Sequence, residues 1–311
     1  MQTTKPYSVQ IYILSRDRPH YLREALNSIC KESEVSIEII VSDNSEGNEV
    51  QQMVEAEFPR LTYVRHNPPV SAMEHFRIIL LEASAQYLVL FHDDDVMIDG
   101  YAQEMVSALR DHPEASAVAC NALFIHGDKP GKQLMMGSFS HSCSITNPQQ
   151  LLKPYLEIGD VRPAPFPGYM YRSSFLRDLY LDPKLGGKYA DVSFLTQLVQ
   201  RGPIVWIAQP LMYYRLHQNN DSKSLSVAEH LRLLRYLIGS KLISRHASEV
   251  WDYRFKFWLY WWIQSRGEVK QKHHNYWVNK IVGIFLLKHV FQLILNNRIP
   301  WKKLTNRFIG R

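Results

Sequence analysis

Three consecutive carboxylates, Asp93, Asp94 and Asp95, stand directly after an apolar run in the stretch LVLFHDDDVMIDG, residues 88–100. Adjacent like charges repel, so such a triplet either lies in a solvated turn or is offset by a cation. An isolated acidic run is usually a solvated face. The elements around the triplet must therefore decide whether it is a turn or a metal site.

The residues before the triplet alternate between strand and helix patterns, which predicts an α/β fold with a mostly parallel sheet covered by helices. The predicted strands are 9–14, 36–43, 61–66 and 86–91, and the predicted helices are 18–30, 49–58 and 72–84. The triplet follows the fourth strand at its carboxyl end, where open α/β sheets bind ligands.

Polar clusters also follow the first two strands. Ser15, Arg16, Asp17 and Arg18 follow the first strand, and residues 42–48 (SDNSEGN) follow the second. A nucleotide fits a crevice of this kind, but neither a glycine-rich dinucleotide fingerprint nor a P-loop occurs after the first strand. Without such a cradle a diphosphate needs a divalent metal, and the triplet is the available site.

The pattern is less regular after residue 100. We predict a helix at 101–111, a strand at 116–125, a loop-rich stretch around 162–174, a helix from Asp191 and a strand at 203–208. Prolines punctuate the loop-rich stretch, which makes regular elements there hard to recognise.

Four segments together resemble a known family. Residues 9–29, 37–48 (IEIIVSDNSEGN), 86–100 and 189–222 are similar, in that order, to the motifs of the inverting glycosyltransferases of family 2, of the bacterial surface-polysaccharide type. The resemblance covers about residues 7–222 and implies the nucleotide-sugar-binding fold called GT-A. It implies a GT-A domain at 1–224, with a nucleotide-sugar half at about 1–100 and an acceptor half at about 101–224.

The chemistry implied by the resemblance is displacement at an anomeric carbon. It involves a nucleoside-diphosphate sugar, a divalent metal (Mn²⁺ or Mg²⁺) on the diphosphate and an acceptor hydroxyl. Asp191 resembles the second acid of the family's ED motif, the general base, although Ala190 replaces the first acid. A carboxylate at a helix start is also compatible with a purely stabilising role, through the helix dipole.

The resemblance further implies donor contacts and metal ligands. The donor contacts are Ser15, Arg16, Asp17, Arg18, Asp43, Asn44, Asp93 and Arg215, and the metal ligands are Asp94, Asp95 and His217. Two assignments of the triplet stay open: either Asp93 and Asp95 form the DXD pair, or Asp93 contacts the ribose and Asp94 is the main metal ligand. Asp43 has an alternative role in an Asx turn with Asn44 and Ser45.

The donor and acceptor are predicted only by class. UDP is the expected nucleotide, with TDP and GDP as alternatives, because residues 15–18 and 68–76 depart from the family pattern. The expected acceptor is a glycan or lipid-linked saccharide of cell-surface polysaccharide synthesis, such as O-antigen, lipopolysaccharide or capsule. The alternatives are a nucleotidyltransferase, which would need a glycine-rich N-terminal loop, and a non-catalytic subunit that binds sugar nucleotides.

A basic, aromatic region of helical pattern follows at 225–311. It carries 16 Lys plus Arg against 4 Asp plus Glu and six of the seven tryptophans, whereas residues 1–224 carry 20 against 26. Basic residues with interfacial Trp and Tyr favour binding to an anionic membrane surface. A structural helical cap or a homo-oligomer interface is the alternative, and no recognised nucleic-acid-binding fold is present.

One helical stripe in this region consists of Trp251, Phe255, Trp258 and Trp262, a pattern most often found in core packing. The longest apolar run, 281–295, is shorter than the ~20 residues that a membrane-spanning helix needs.

The three cysteines, Cys30, Cys120 and Cys143, form no C-x-x-C pair, and the N-terminus has no secretory pattern. With the basic region, these features predict a cytoplasmic protein that attaches peripherally to the inner membrane.

Overall fold

A ten-stranded sheet forms the centre of the chain in the computed structural model, which describes residues 8–31, 35–127, 129–157, 160–216 and 227–257. In chain order the strands are β1 (Val9–Ser15), β2 (Ile37–Asp43), β3 (Thr62–Arg65), β4 (Tyr87–His92), β5 (Val96–Met97), β6 (Ala117–His126), β7 (Lys129–Leu134), β8 (Cys143–Ile145), β9 (Tyr169–Arg172) and β10 (Ile204–Leu216). The helices are α1 (Pro19–Ile29), α2 (Glu49–Glu57), α3 (Ala72–Glu82), α4 (Tyr101–Asp111), α5 (Pro148–Leu156), α6 (Pro183–Gly186), α7 (Ala190–Leu198) and α8 (Val227–Gly239). A further helical segment occupies residues 248–257.

The strand order is β3-β2-β1-β4-β9-β6-β10-β5, with β7 paired to β6 and β8 to β10. The long pairs β1–β2, β1–β4, β2–β3 and β6–β10 are parallel, which confirms the predicted mostly parallel sheet. Strand β9 runs antiparallel between β4 and β6. The register pairs Ser15 with Asp43 and Leu14 with His92, so the residues that follow β1, β2 and β4 meet at one edge.

The central strands are buried on both faces, because their side chains alternate between two cores. Ile11, Ile13 and Phe91 pack with apolar residues of α1, α2 and α4 on one face. Tyr12 and Leu90 pack with apolar residues of α3, α5 and α7 on the other. The result is a three-layer α/β/α arrangement that holds the strand ends rigidly.

The sequence predicted the first half of the fold better than the second. The predicted elements up to β4 are observed within about two residues, as are α4, β6 and the start of α7. Strand β10 extends well beyond the predicted 203–208, and the stretch expected to be loop-rich, 162–174, contains β9. That strand has only four residues and pairs with distant parts of the chain, so the local sequence pattern does not predict it.

The described part of the C-terminal region packs against the preceding chain. Helix α8 and residues 248–257 share an apolar cluster with α5 and α7, which includes Leu152, Val192, Leu237 and Val250. None of the described helices combines the length and apolarity that crossing a membrane requires. The proposed division near residue 225 stays a prediction.

The two members of the predicted aromatic stripe that lie in the described residues, Trp251 and Phe255, differ in burial. Trp251 is 40% exposed, while Tyr253, Phe255 and Phe257 are buried. The segment is oriented by Val250 and Tyr253, which join the cluster with α8, and this turns Trp251 outward. Trp258, Trp262 and the run 281–295 lie outside the described residues.

Candidate active site

Asp93 lies at the carboxyl end of β4 and is fully buried. One carboxylate oxygen accepts hydrogen bonds from Ser15 Oγ at 2.9 Å and from the backbone N–H of Arg16 at 3.2 Å. The other accepts from the Arg18 guanidinium. Burial raises the pKa of Asp93 to about 7, with Arg18 acting against the shift and Asp94 adding to it. Asp93 therefore ties the end of β4 to the end of β1.

Arg18 bridges two members of the triplet. Its second guanidinium nitrogen donates to Asp94 Oδ2 at 3.0 Å, and its side chain is 34% exposed at the mouth of the site. Because the helix α1 begins immediately after Arg18, the sequence fixes the backbone of this cation at the sheet edge. The structure thus brings Ser15, Arg18 and the triplet together, as the sequence predicts.

A potential metal-binding cluster consists of His92, Asp94 and Asp95, whose ligand atoms lie within 4.8 Å of one another. Asp95 Oδ1 accepts from the backbone N–H of Arg215 at 3.0 Å. Asp95 Oδ2 is buried, has no hydrogen-bond partner within the described part of the chain and lies 4.0 Å from His92 Nδ1. Such an orphaned oxygen in a cluster of acids and imidazole fits a divalent cation.

The electrostatics of this cluster also fit a cation. Burial and the neighbouring Asp94 raise the pKa of Asp95 well above its usual value. A divalent cation would favour the ionised carboxylate and reverse this shift. Asp93 is not part of the cluster, so the geometry favours Asp94 and Asp95 as the metal-facing pair.

Arg215, on β10, is buried beneath the triplet rather than exposed to it. Its guanidinium donates to the carbonyl oxygens of Asp94 at 2.8 Å and Gly127 at 2.6 Å, and pairs with Glu24. It also lies over the Tyr21 ring, 4.7 Å from its centroid. These contacts make Arg215 a support for the backbone of Asp94 and Asp95, and contact with a diphosphate stays a prediction.

Asp43 and Asn44 are also held by protein contacts. Asp43 is fully buried; it accepts from the backbone N–H of Ser45 at 2.9 Å and from the Tyr63 hydroxyl at 2.6 Å. The Ser45 bond is the Asx turn considered as the alternative role. The Asn44 side chain exchanges two hydrogen bonds with the backbone of Val70 and so fixes the loop after β3. A contact between Asp43 and a nucleotide base stays a prediction.

Arg16 and Asp17 lie at the exposed rim of the site. Arg16 pairs with Glu46 at 3.0 Å, and Asp17 accepts from the backbone N–H of Glu46 at 2.9 Å. The backbone N–H of Asp17 donates to Ser45 Oγ at 2.8 Å. The loops after β1 and β2 are thereby joined, and contact of Arg16 or Asp17 with a donor stays a prediction.

Asp191 lies in the first turn of α7. Its Oδ1 is buried and has no hydrogen-bond partner among the described residues. Burial raises the pKa of Asp191 to about 6, although the backbone N–H groups of Val192 and Asp191 act in the opposite direction. A carboxylate with a pKa near the working pH of an enzyme is suited to accept a proton.

Aromatic rings connect the metal-binding cluster with α7. The Phe76 ring lies 6.3 Å from His92 and 5.9 Å from Phe166, centroid to centroid. Phe166 in turn lies 6.2 Å from Phe194, which is one turn after Asp191 on α7. Phe76 and Phe166 are half-buried, so they offer apolar surface between the cluster and Asp191.

One predicted ligand lies outside the described residues, and one residue of the potential metal-binding cluster was not predicted. His217 falls in the undescribed range 217–226, so its role as a ligand stays a prediction. His92 was not predicted, although it directly precedes the triplet in the sequence. It is the last residue of β4, and its position beside two carboxylates was the available signal.

The sheet with acids at its carboxyl edge defines an enzyme of the nucleotide-sugar-binding GT-A class. Residues 10–177 match the family model described as Glycosyl transferase family 2. Because this match spans more than half of the chain, the protein belongs to glycosyl transferase family 2, and it is a glycosyltransferase. The match ends before Asp191, so the role of Asp191 rests on geometry and on the resemblance of residues 189–222.

Solved structures of S. aureus TarS show the same fold. S. aureus TarS residues 1–349 with UDP-GlcNAc aligns with a TM-score of 0.57 at 14% identity, over 76% of this chain and 74% of that one. The complex of the same TarS fragment with UDP aligns with a TM-score of 0.55 at 15% identity, over 76% of this chain and 73% of that one. The mannosyltransferase PcManGT from Pyrobaculum calidifontis, in complex with GDP-Man and Mn²⁺, aligns with a TM-score of 0.49 at 15% identity, over 76% of this chain and 63% of that one. No curated protein sequence matches the chain.

Proposed function

We propose that the protein transfers a sugar from a nucleoside-diphosphate donor to a hydroxyl of a glycan or lipid-linked acceptor, with inversion at the anomeric carbon. The observation that carries this proposal is the cluster of His92, Asp94 and Asp95 at the carboxyl edge of the sheet, where a buried oxygen of Asp95 has no hydrogen-bond partner in the ranges that the structure describes. Glycosyl transfer in cell-surface polysaccharide synthesis is the proposed setting.

His92, Asp94 and Asp95 would hold the metal. A divalent cation bound there supplies charge that neutralises the diphosphate and stabilises it as a leaving group. The imidazole ligand favours Mn²⁺ over Mg²⁺, which prefers oxygen ligands. Arg18, at the mouth beside Asp94, adds a second positive charge for the diphosphate. UDP is the first nucleotide to test, since TarS binds UDP and UDP-GlcNAc; TDP and GDP are alternatives.

Asp191 is proposed to act as the general base. The acceptor oxygen attacks the anomeric carbon and forms the new glycosidic bond, while the bond from that carbon to the diphosphate oxygen breaks. The nucleoside diphosphate leaves with the bonding electrons, and Asp191 accepts the hydroxyl proton. The half-buried rings of Phe76 and Phe166 provide an apolar wall for the sugar between the two ends of the site.

Nucleotide release tests the proposed function directly. We expect the purified protein to release nucleotide from one of a panel of UDP-, TDP- and GDP-sugars, slowly with water and faster with acceptor. A chelator should abolish release, and added Mn²⁺ should restore it, because the leaving group depends on the cation. Release that is unchanged by chelation would contradict the metal site, and no release from any donor would contradict the proposed function.

The basic C-terminal region is proposed to bind the anionic inner face of the cytoplasmic membrane. In its described part, Arg232 and Arg235 on α8 are exposed, and Arg254 lies 5.8 Å from the exposed Trp251 ring. Arginine with interfacial tryptophan is suited to phospholipid headgroups. Membrane binding would bring the enzyme to a lipid-linked acceptor.

Vesicle sedimentation tests this surface. We expect binding to vesicles of phosphatidylcholine with phosphatidylserine but not to phosphatidylcholine alone, and release at high salt because the attraction is electrostatic. The variant Arg254→Glu should bind more weakly, whereas Arg110→Glu, a matched charge reversal on α4, should bind as the wild type does. Equal binding to both kinds of vesicle, or no binding, would favour a structural cap or a homo-oligomer interface.

A further inference from the structure

Glu229 of α8 contacts the turn that immediately precedes α7. Its Oε2 accepts a hydrogen bond from the backbone N–H of Lys188 at 2.8 Å, and its carboxylate pairs with Arg232 at 3.3 Å. Gly187 has φ of +64°, and a Cβ at this position would overlap the Glu229 carboxylate. The backbone of the turn therefore lies directly against this side chain, which only glycine permits.

His230, the next residue of α8, holds the same turn through a side chain. Its Nε2 lies 2.9 Å from the Tyr189 hydroxyl, and its Nδ1 is hydrogen-bonded to the Tyr253 hydroxyl. Burial, together with the charges of Lys188 and Lys256, lowers the pKa of His230 to about 4. The neutral ring has one donor and one acceptor nitrogen, which suits a bridge between two hydroxyl groups.

Apolar packing holds the other side of Asp191. Val192 is buried in the cluster that contains Leu233, Leu234 and Leu237 of α8. The residues on both sides of Asp191 in the sequence thus contact α8, through Tyr189 on one side and Val192 on the other. Since Asp191 Oδ1 has no hydrogen-bond partner among the described residues, the backbone position has a large part in fixing the carboxylate.

We propose that Glu229 and His230 are positioning residues for the general base: together they fix the turn 187–189 and so place Asp191 against the acceptor. The inference rests on the proposed function of Asp191 and adds two residues to it. Both lie on α8, beyond residues 10–177 that match the family model. Part of the C-terminal region would therefore serve catalysis, in addition to any role at a membrane.

Glu229→Ala and Glu229→Gln form the matched pair that tests the proposal. Alanine removes the acceptor for the Lys188 N–H, whereas glutamine keeps an oxygen there. We expect Glu229→Ala to lower kcat for nucleotide release about ten- to a hundredfold, because small misplacement of a catalytic group is costly. The KM for the sugar nucleotide and the affinity for UDP with Mn²⁺ should not change, and Glu229→Gln should restore most of kcat. Glu249→Ala, in the segment 248–257, should behave as the wild type does.

Hydrogen exchange provides a readout that is independent of activity. Amides in residues 187–192 should exchange faster in Glu229→Ala and in His230→Phe, which removes both hydroxyl bonds of the imidazole, while exchange in β1 and β4 stays unchanged. A Glu229→Ala enzyme with wild-type kcat, or parallel losses of kcat and UDP affinity, would overturn the proposal. Failure of the proposed function gives a distinct result, because the wild type itself would then release no nucleotide. That result would contradict the positioning role as well.

Discussion

Asp191→Asn is expected to lower the rate of sugar transfer by about 10²–10⁴-fold, the usual contribution of a general base. Asparagine keeps the shape of the side chain but cannot accept the acceptor proton at neutral pH. Binding of UDP in the presence of Mn²⁺ should stay at the wild-type level, because the proposed nucleotide contacts lie at the ends of β1, β2 and β4. Initial rates of nucleotide release, together with calorimetric titration, measure the two quantities.

The raised pKa of Asp191 predicts how kcat and the stability of the fold change with pH. Burial raises the pKa of Asp191 to about 6, so wild-type kcat should fall about tenfold per unit as pH drops below that value. The same shift means that the folded protein binds this proton more tightly than the unfolded chain, whose aspartates titrate near about 3.9. The contribution of Asp191 to the free energy of unfolding therefore decreases as pH rises from about 4 to about 6. Asp191→Asn should lose the acidic limb without lowering the melting temperature at pH 8.

A matched control separates catalysis from helix stability. Asp182 is the N-cap residue of α6 and accepts a hydrogen bond from the backbone N–H of Lys184 at 2.8 Å, a role that asparagine also fills. Asp182→Asn should keep full activity. If Asp191→Asn also kept transfer within a few-fold of the wild type, Asp191 would be only a carboxylate at a helix N-terminus, and the base would be another residue.

Asp95→Asn is expected to weaken Mn²⁺-dependent binding of UDP by about a hundredfold or more. Changes to groups that merely orient metal ligands cost about 10–100-fold in affinity, and loss of a ligand oxygen should cost at least as much. The amide oxygen can still accept from the backbone N–H of Arg215, now bonded to Asp95 at 3.0 Å, so the local fold should survive. The amide nitrogen would replace the orphaned oxygen and face the cation with its hydrogens.

Two comparisons make this experiment specific. Asp99→Asn changes an exposed acid four residues further along and should leave UDP binding unchanged. His92→Ala should share the loss of metal dependence, since His92 is in the same cluster. Equal UDP affinity with and without Mn²⁺ in the wild type would contradict the metal site, and it would leave Arg18 as the charge that neutralises the diphosphate.

The sequence by itself determined the sheet edge and the acids on it. The short, almost wholly apolar runs of β1 and β4, with helices between the strands, are a local pattern, and parallel strands necessarily bring their carboxyl ends together. The triplet, Arg18 and the start of α7 at Asp191 were therefore predictable. The resemblance to family 2 came from the same ordered series of segments.

Only the tertiary structure decided which groups each of these side chains contacts. Arg215 lies beneath the triplet because it contacts Gly127 as well as Glu24 and Tyr21 of α1, two parts of the chain that are far from β10 in sequence. Its predicted contact with a diphosphate stays a prediction. Asp43 is enclosed by Tyr63, and Asp191 is flanked by contacts with α8. Such contacts join residues far apart in sequence and leave no periodic pattern in it. Among these buried carboxylates, the hydrogen-bond partners distinguish the supports Asp43 and Asp93 from Asp95 and Asp191, the candidate ligand and base.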